Sequence, residues 1–183
     1  VAAAHSRHTA GTPSCLDCHM PPIVQGFEGS NRTHLIASPT DPNILASGMP
    51  NACNLCHLDK SLAWTRDQLE EGWGRRIELP SRLQAHYGEG FRRPMGEAWL
   101  THPFLLSRLI AANAYASSPL GKETLPMFLQ YLAEPNAYLR FGYFQTVEKI
   151  LGRRLADEEY SVTGSRKVRQ KQVQKLIERF TRN

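Results

Sequence analysis

The pentapeptides Cys15-Leu16-Asp17-Cys18-His19 and Cys53-Asn54-Leu55-Cys56-His57 constrain this chain more than any other feature. Each is a Cys-x-x-Cys-His string, and together they use all four cysteines. Paired thiols at this spacing add to the vinyl groups of a haem, and the adjacent histidine ligates the iron from one side. Two copies predict two haem c groups, one held by Cys15 and Cys18 and the other by Cys53 and Cys56. His19 and His57 are then the proximal iron ligands.

Other uses of the cysteines explain less. A four-cysteine zinc site could use two Cys-x-x-Cys knuckles, but it needs no histidine after each pair and leaves five further histidines without a role. A thioredoxin-like dithiol belongs at a strand-to-helix turn, whereas both motifs lie in Pro-, Gly- and Asn-rich sequence with no strand pattern before them. Two structural disulfides suit a secreted chain but leave the repeated histidine unexplained.

At 183 residues, one domain or one with an appendage is expected, and 41% hydrophobic content is enough for a core. No stretch is long and apolar enough to span a bilayer. Val1-Ala2-Ala3-Ala4 reads as an end left by processing or truncation. Because haem c is attached outside the bacterial cytoplasm, a periplasmic or extracellular location is expected, with a membrane surface as one setting. The net charge of +5 is uneven. From Ser165 to Asn183 seven cations face one anion, a net of +6, so the remainder carries −1.

Residues 1–75 form the expected haem-binding region, loop-rich to about residue 60 because of runs such as Pro21-Pro22 and Ser38-Pro39-Thr40-Asp41-Pro42. A helix from Ser61 to about Trp73 closes it, with Leu62, Trp64, Leu69 and Trp73 apolar and Gly72, Gly74 and Pro80 as breakers. Residues 76–183 are expected to form a helical region. Residues 80–98 are ambiguous, with a short helix at Ser81–His86. Stripes then follow at Leu105/Leu109/Ala112/Ala116, Leu125/Phe128/Leu129/Leu132, Leu139/Tyr143/Val147/Ile150 and Val173/Leu176/Ile177/Phe180. Ser117-Ser118-Pro119 and Glu134-Pro135-Asn136 separate them. The fold class is mostly α: a loop-rich dihaem unit followed by a small stack of antiparallel helices whose Ala111-Ala112-Asn113-Ala114 and Pro135-Asn136-Ala137-Tyr138 segments resemble HEAT-type repeats.

Each iron has one remaining axial position. His5, His8, His34, His86 and His102 are available, as are Met20, Met49, Met95 and Met127, and methionine would raise the potential. Met20 follows a haem histidine and is expected to pack, not ligate. His102, before Pro103, also suits a helix entry.

His8, six intervening residues, Cys15-Leu-Asp-Cys-His-Met-Pro21, then Thr33-His34 and Cys53-x-x-Cys-His57 is similar to the last two haem sites of pentahaem cytochrome c nitrite reductases and related multihaem cytochromes. The similarity covers about residues 5–62. It implies that His8 is distal ligand to the haem on Cys53 and Cys56. The family's counterpart of His34 ligates a haem held by an earlier part of its chain; with two motifs here, His34 is left to ligate the first haem, a haem of a partner chain, or nothing. The similarity implies a later histidine, His102 or His86, for the first haem. His5, three residues from His8, could substitute for it. The family's lysine-ligated active-site haem, catalytic histidine and calcium ligands precede the similar region and have no counterpart here.

The function expected from these observations is electron transfer through two low-potential bis-histidine haems, acting alone or as a subunit of a multihaem conduit, and not catalysis. The alternative is a haem enzyme in which one iron stays open to nitrite, hydroxylamine or peroxide. Expected partners are other redox proteins, multihaem cytochromes or a membrane redox complex, with haem ligands exchanged across a subunit interface. In the subunit reading the basic C-terminal segment is a docking helix; the alternative is a solvated charged face. Nucleic acid is not an expected partner, since no recognition motif is present.

Overall fold

The computed structural model describes residues 2–9, 13–26 and 29–181. Among these residues there are eleven α-helices and a single two-stranded sheet, so the mostly-α class is adopted. In chain order they are α1 (Ala2–Ser6), α2 (Cys15–His19), β1 (Val24–Gly26), β2 (Gly29–Asn31), α3 (Pro42–Ser47), α4 (Ala52–Cys56), α5 (Leu62–Trp73), α6 (Gln84–Tyr87), α7 (Met95–Leu100), α8 (Leu105–Ser117), α9 (Gly121–Tyr131), α10 (Ala137–Leu151) and α11 (Arg166–Thr181). The chain divides into two compact units, Val1–Gln25 with Ser30–Ala111, and Ala112–Asn183 with Gly26–Gly29.

In the first unit, α5 begins where Ser61 accepts the Trp64 N–H (3.2 Å) and ends at Gly74, whose left-handed φ of 64° lets its N–H turn back to the Glu70 carbonyl. Gly72, expected to break this helix, lies inside it, and a Cβ there would touch the Arg7 side chain at 3.7 Å. Leu62 and Leu69 are buried with Leu58, Met95, Trp99 and Leu109. The short α7 is joined to the segment after the second motif by its own first amides. Met95 N–H donates to the Lys60 carbonyl and Gly96 N–H to that of Leu58, both at 2.9 Å. At the end of α3, Gly48 has φ 74°, and any Cβ would lie 2.9 Å from Leu83 and Tyr87. Glycine therefore allows α3 to stop against α6, where the Tyr87 hydroxyl donates to the Gly48 carbonyl.

In the second unit α9 packs against α10 and α11. Asn136 caps α10 by accepting the Tyr138 and Leu139 amides, so the Pro135-Asn136 break is also the helix start. Phe128, Leu129, Leu132, Tyr143, Val147, Tyr160 and Leu176 are buried. The buried Tyr160 hydroxyl donates to the Leu132 carbonyl at 2.7 Å.

Arg153 meets Glu159 bidentately (2.7 and 2.8 Å), and Arg179 of α11 reaches the same carboxylate at 2.8 Å. The hydrogen bonds from Arg153, then that from the Ala156 amide, hold Glu159 down to about 2. A carboxylate depressed on folding stabilises the native state above its unfolded value of 4.5 and loses that contribution as pH falls to about 2. The melting temperature of Glu159→Gln should therefore fall below that of the parent at neutral pH and converge with it across this acid window. A gap unchanged through the window would contradict the assignment.

Candidate functional site

Each Cys-x-x-Cys pair is one turn of helix, which places its two thiols on one face. The turn of α2 is held by Asp17, whose carboxylate accepts both the amide and the hydroxyl of Ser14 (2.8 Å each) and pairs with Arg32. Burial raises the Asp17 pKa, but the hydrogen bonds from Arg32 and Ser14 outweigh it and leave the carboxyl below its ordinary value. The turn of α4 is held from within. Asn51 accepts the Asn54 N–H at 3.0 Å, and Asn54 Oδ1 accepts from Asn51 Nδ2 (3.0 Å) and from the Thr65 hydroxyl (2.7 Å). Asn54 Nδ2 donates to the carbonyls of His57 (3.3 Å) and Lys60 (3.4 Å). The network is buried, Asn54 fully so.

Both motifs open into one cavity of about 760 Å³, walled also by the N-terminal arm around His5–His8 and by α5. Its size falls in the cofactor range, roughly 300–1,000 Å³. Burial pushes the Cys53 thiol up to about 11, helped by the negative charge Cys18 would carry, and burial also raises Cys18 and Cys56. A redox dithiol needs the opposite, a thiol pulled below its ordinary value. Among the described residues no three His, Cys, Asp or Glu side chains converge as a metal-ion site.

The histidines fall into three groups. His5 and His8 line the cavity and face the two motif histidines. The His5 and His19 rings are 6.0 Å apart between centroids at 16° between planes, and those of His8 and His57 are 6.2 Å apart at 31°. His19 Nδ1 is hydrogen-bonded to the Ala37 carbonyl at 2.9 Å and His8 Nδ1 to that of Ser6 at 2.6 Å. In both rings Nε2 is left for another partner. Trp64 lies 4.8 Å from the His57 ring. Burial, followed by the positive charge of His8, lowers the His57 pKa.

His86 and His102 form a second group that does not line the cavity; they pack edge-on with each other at 4.9 Å. His86 Nε2 is bonded to the Ala98 carbonyl (2.6 Å), and His102 Nδ1 accepts the Phe104 amide (3.0 Å) at the entry to α8. His34 stands apart, exposed beside the exposed Leu35 and Ile36. Sequence reasoning placed His5 only as a substitute for His8. The signal available was its three-residue spacing from His8, but on an unbroken helix that spacing puts both on one face.

Residues 3–91 match the cytochrome c552 family model, so a stretch of just under half the chain, containing both motifs, is similar to this c-type cytochrome family. No curated protein and no solved structure matches the chain. The family match supports haem c as cofactor and an electron-transfer role. It also overturns one expectation. The cytochrome c552 family is associated with nitrite reductase activity, which supports an enzyme reading over the expected absence of catalysis. The carrier expectation rested on two histidines for each iron and on the lack of counterparts to the resembled family's catalytic groups, and the family match overrides it. The residues fit the cofactor: four thiols in two helical turns, and histidines whose Nδ1 positions are already spoken for, share one cavity. No helix among the described residues is long and apolar enough to cross a membrane.

Proposed function

We propose that the chain holds two haem c groups, on Cys15/Cys18/His19 and on Cys53/Cys56/His57, and that they carry electrons within a haem enzyme of the nitrite-reducing type. The observation that carries this reading is the single cavity into which both motifs open, with His8 facing His57 across it. Bound haem supplies one-electron transfer at iron. The chain's part is to fix the macrocycles through sulfur, to orient His19 through the Ala37 carbonyl and to exclude water with Trp64, Leu69 and Trp73. His8 serves as distal ligand of the second haem, the role its position before Cys15 implies by family resemblance. Attachment of haem c places the protein outside the cytoplasm. Exposed Lys167, Lys171 and Lys175 of α11 suit docking to an acidic redox partner, an association that weakens as salt rises.

Two measurements on the protein purified in its native assembly test this. Pyridine haemochrome absorbance against protein mass should give two haems per chain. Viologen reduced chemically should be reoxidised catalytically on addition of nitrite or hydroxylamine. A chain with fewer than two haems overturns the cofactor reading, and an assembly inert to both substrates overturns the enzymatic one.

A further inference from the structure

The geometry points to His5 as the distal axial ligand of the first haem, opposite His19, so that one N-terminal arm supplies the second ligand to both irons. This rests on the dihaem reading above and assigns the position that the resemblance leaves to a later histidine.

The spacing of the rings is the first support. Two metal–imidazole bonds of about 2 Å end to end, plus the distance from each nitrogen to its ring centre, put the centroids of an axial pair about 6 Å apart. The His5–His19 and His8–His57 separations of 6.0 and 6.2 Å both meet that requirement. No hydrogen bond joins His5 to His19, so the rings are not held at this distance by bonding to each other. His19 Nδ1 is engaged by the Ala37 carbonyl, which commits its other nitrogen to the cavity side.

The second support is how the backbone delivers two histidines three residues apart to two different partners. Arg7 has φ 59°, a left-handed conformation in a non-glycine residue. It ends α1 after Ser6 and turns the chain between His5 and His8. Without that turn both imidazoles would address the same place. The arm is anchored to the folded body, not merely to a cofactor. The Trp73 indole N–H donates to the His5 carbonyl at 3.0 Å, and the Arg7 side chain passes over Gly72 in the last turn of α5.

The third support is that the competing side chains are engaged elsewhere. His86 and His102 pack on each other and use His86 Nε2 and His102 Nδ1 in backbone hydrogen bonds. The Met49 sulfur takes the Ser107 hydroxyl at 3.9 Å. Neither these residues nor His34 and Met20 line the cavity.

The test is iron coordination in the purified holoprotein, read by low-temperature EPR and near-infrared magnetic circular dichroism, with haem content measured on every sample. The parent should show two bis-histidine low-spin haems. His5→Ala should retain two haems but convert one of them to a high-spin form that binds CO and returns to low spin on addition of imidazole. His5→Met should convert one of the two to histidine–methionine ligation with a raised potential, and it decides the matter where His5→Ala does not accumulate. His102→Ala and His34→Ala should leave both signals unchanged. Trp73→Phe, which keeps an aromatic wall but removes the indole donor to the His5 carbonyl, should broaden the signal of the first haem while the two-haem content persists. Two bis-histidine haems surviving in both His5 variants, or loss of one in His102→Ala, overturns the assignment. Fewer than two haems in the parent overturns the dihaem reading instead.

Discussion

Replacing Asn54 with leucine should destabilise the holoprotein by about 3 kcal/mol, through buried groups that lose their partners. Asn54 is fully buried inside the second Cys-x-x-Cys-His turn and makes four side-chain hydrogen bonds. Leucine is similar in size, so the loss comes from what is orphaned. The buried Asn51 amide loses an acceptor; the Thr65 hydroxyl is left with its longer bond to the Ser61 carbonyl (3.4 Å), and the His57 carbonyl with the Lys60 amide (3.0 Å). Thr65→Val removes only one arm of the network and should lose about 1 kcal/mol. The two substitutions share the Asn54–Thr65 bond, so the double variant should lose less than the sum. Denaturant unfolding of the four proteins measures this, and strict additivity would mean that the network does not act as a unit.

Phe128→Ala should lose about 3–5 kcal/mol, the range for emptying a fully buried aromatic site. Phe128 is 0% exposed, edge-on to Tyr115 (5.8 Å) and Tyr131 (5.9 Å) and tilted to Tyr143 (6.3 Å). Three rigid rings cannot close the space left by a fourth, so the cavity term is kept in full. Phe128→Leu fills most of that space and should lose less than half as much. Equal losses for the two would show that the site collapses.

Much of this architecture is written locally. The Ser61 cap, the Leu62/Leu69 stripe and Gly74 define α5, and Pro135-Asn136 marks the start of α10, because caps and periodicity act over a few residues. The motifs announce their chemistry for the same reason. What the sequence hides is held by long-range packing. α7 is six residues long, too short for a period to show, and its place depends on amide bonds to Leu58 and Lys60. Gly72 reads as a breaker by propensity, yet helix α5 continues through it beneath Arg7. His5 is the largest omission. Its position opposite His19 depends on a left-handed arginine that no pattern betrays and on an indole contact 68 residues away. The catalytic association was legible in the similarity of residues 5–62 to nitrite reductases and was set aside because that family's catalytic groups have no counterpart here; the family match over residues 3–91 restores it.

The two facing histidine pairs also bear on the denatured chain. With iron coordinated between each pair, His5–His19 and His8–His57 become cross-links that close loops and remove disorder from the unfolded ensemble. The second loop is roughly three times longer than the first, and by loop-closure scaling its clip is worth about 1 kcal/mol more. On the proposed ligation, the haem held by Cys53 and Cys56 would therefore gain the larger entropic advantage, and ligand loss at His8 would relax the unfolded chain more than ligand loss at His5.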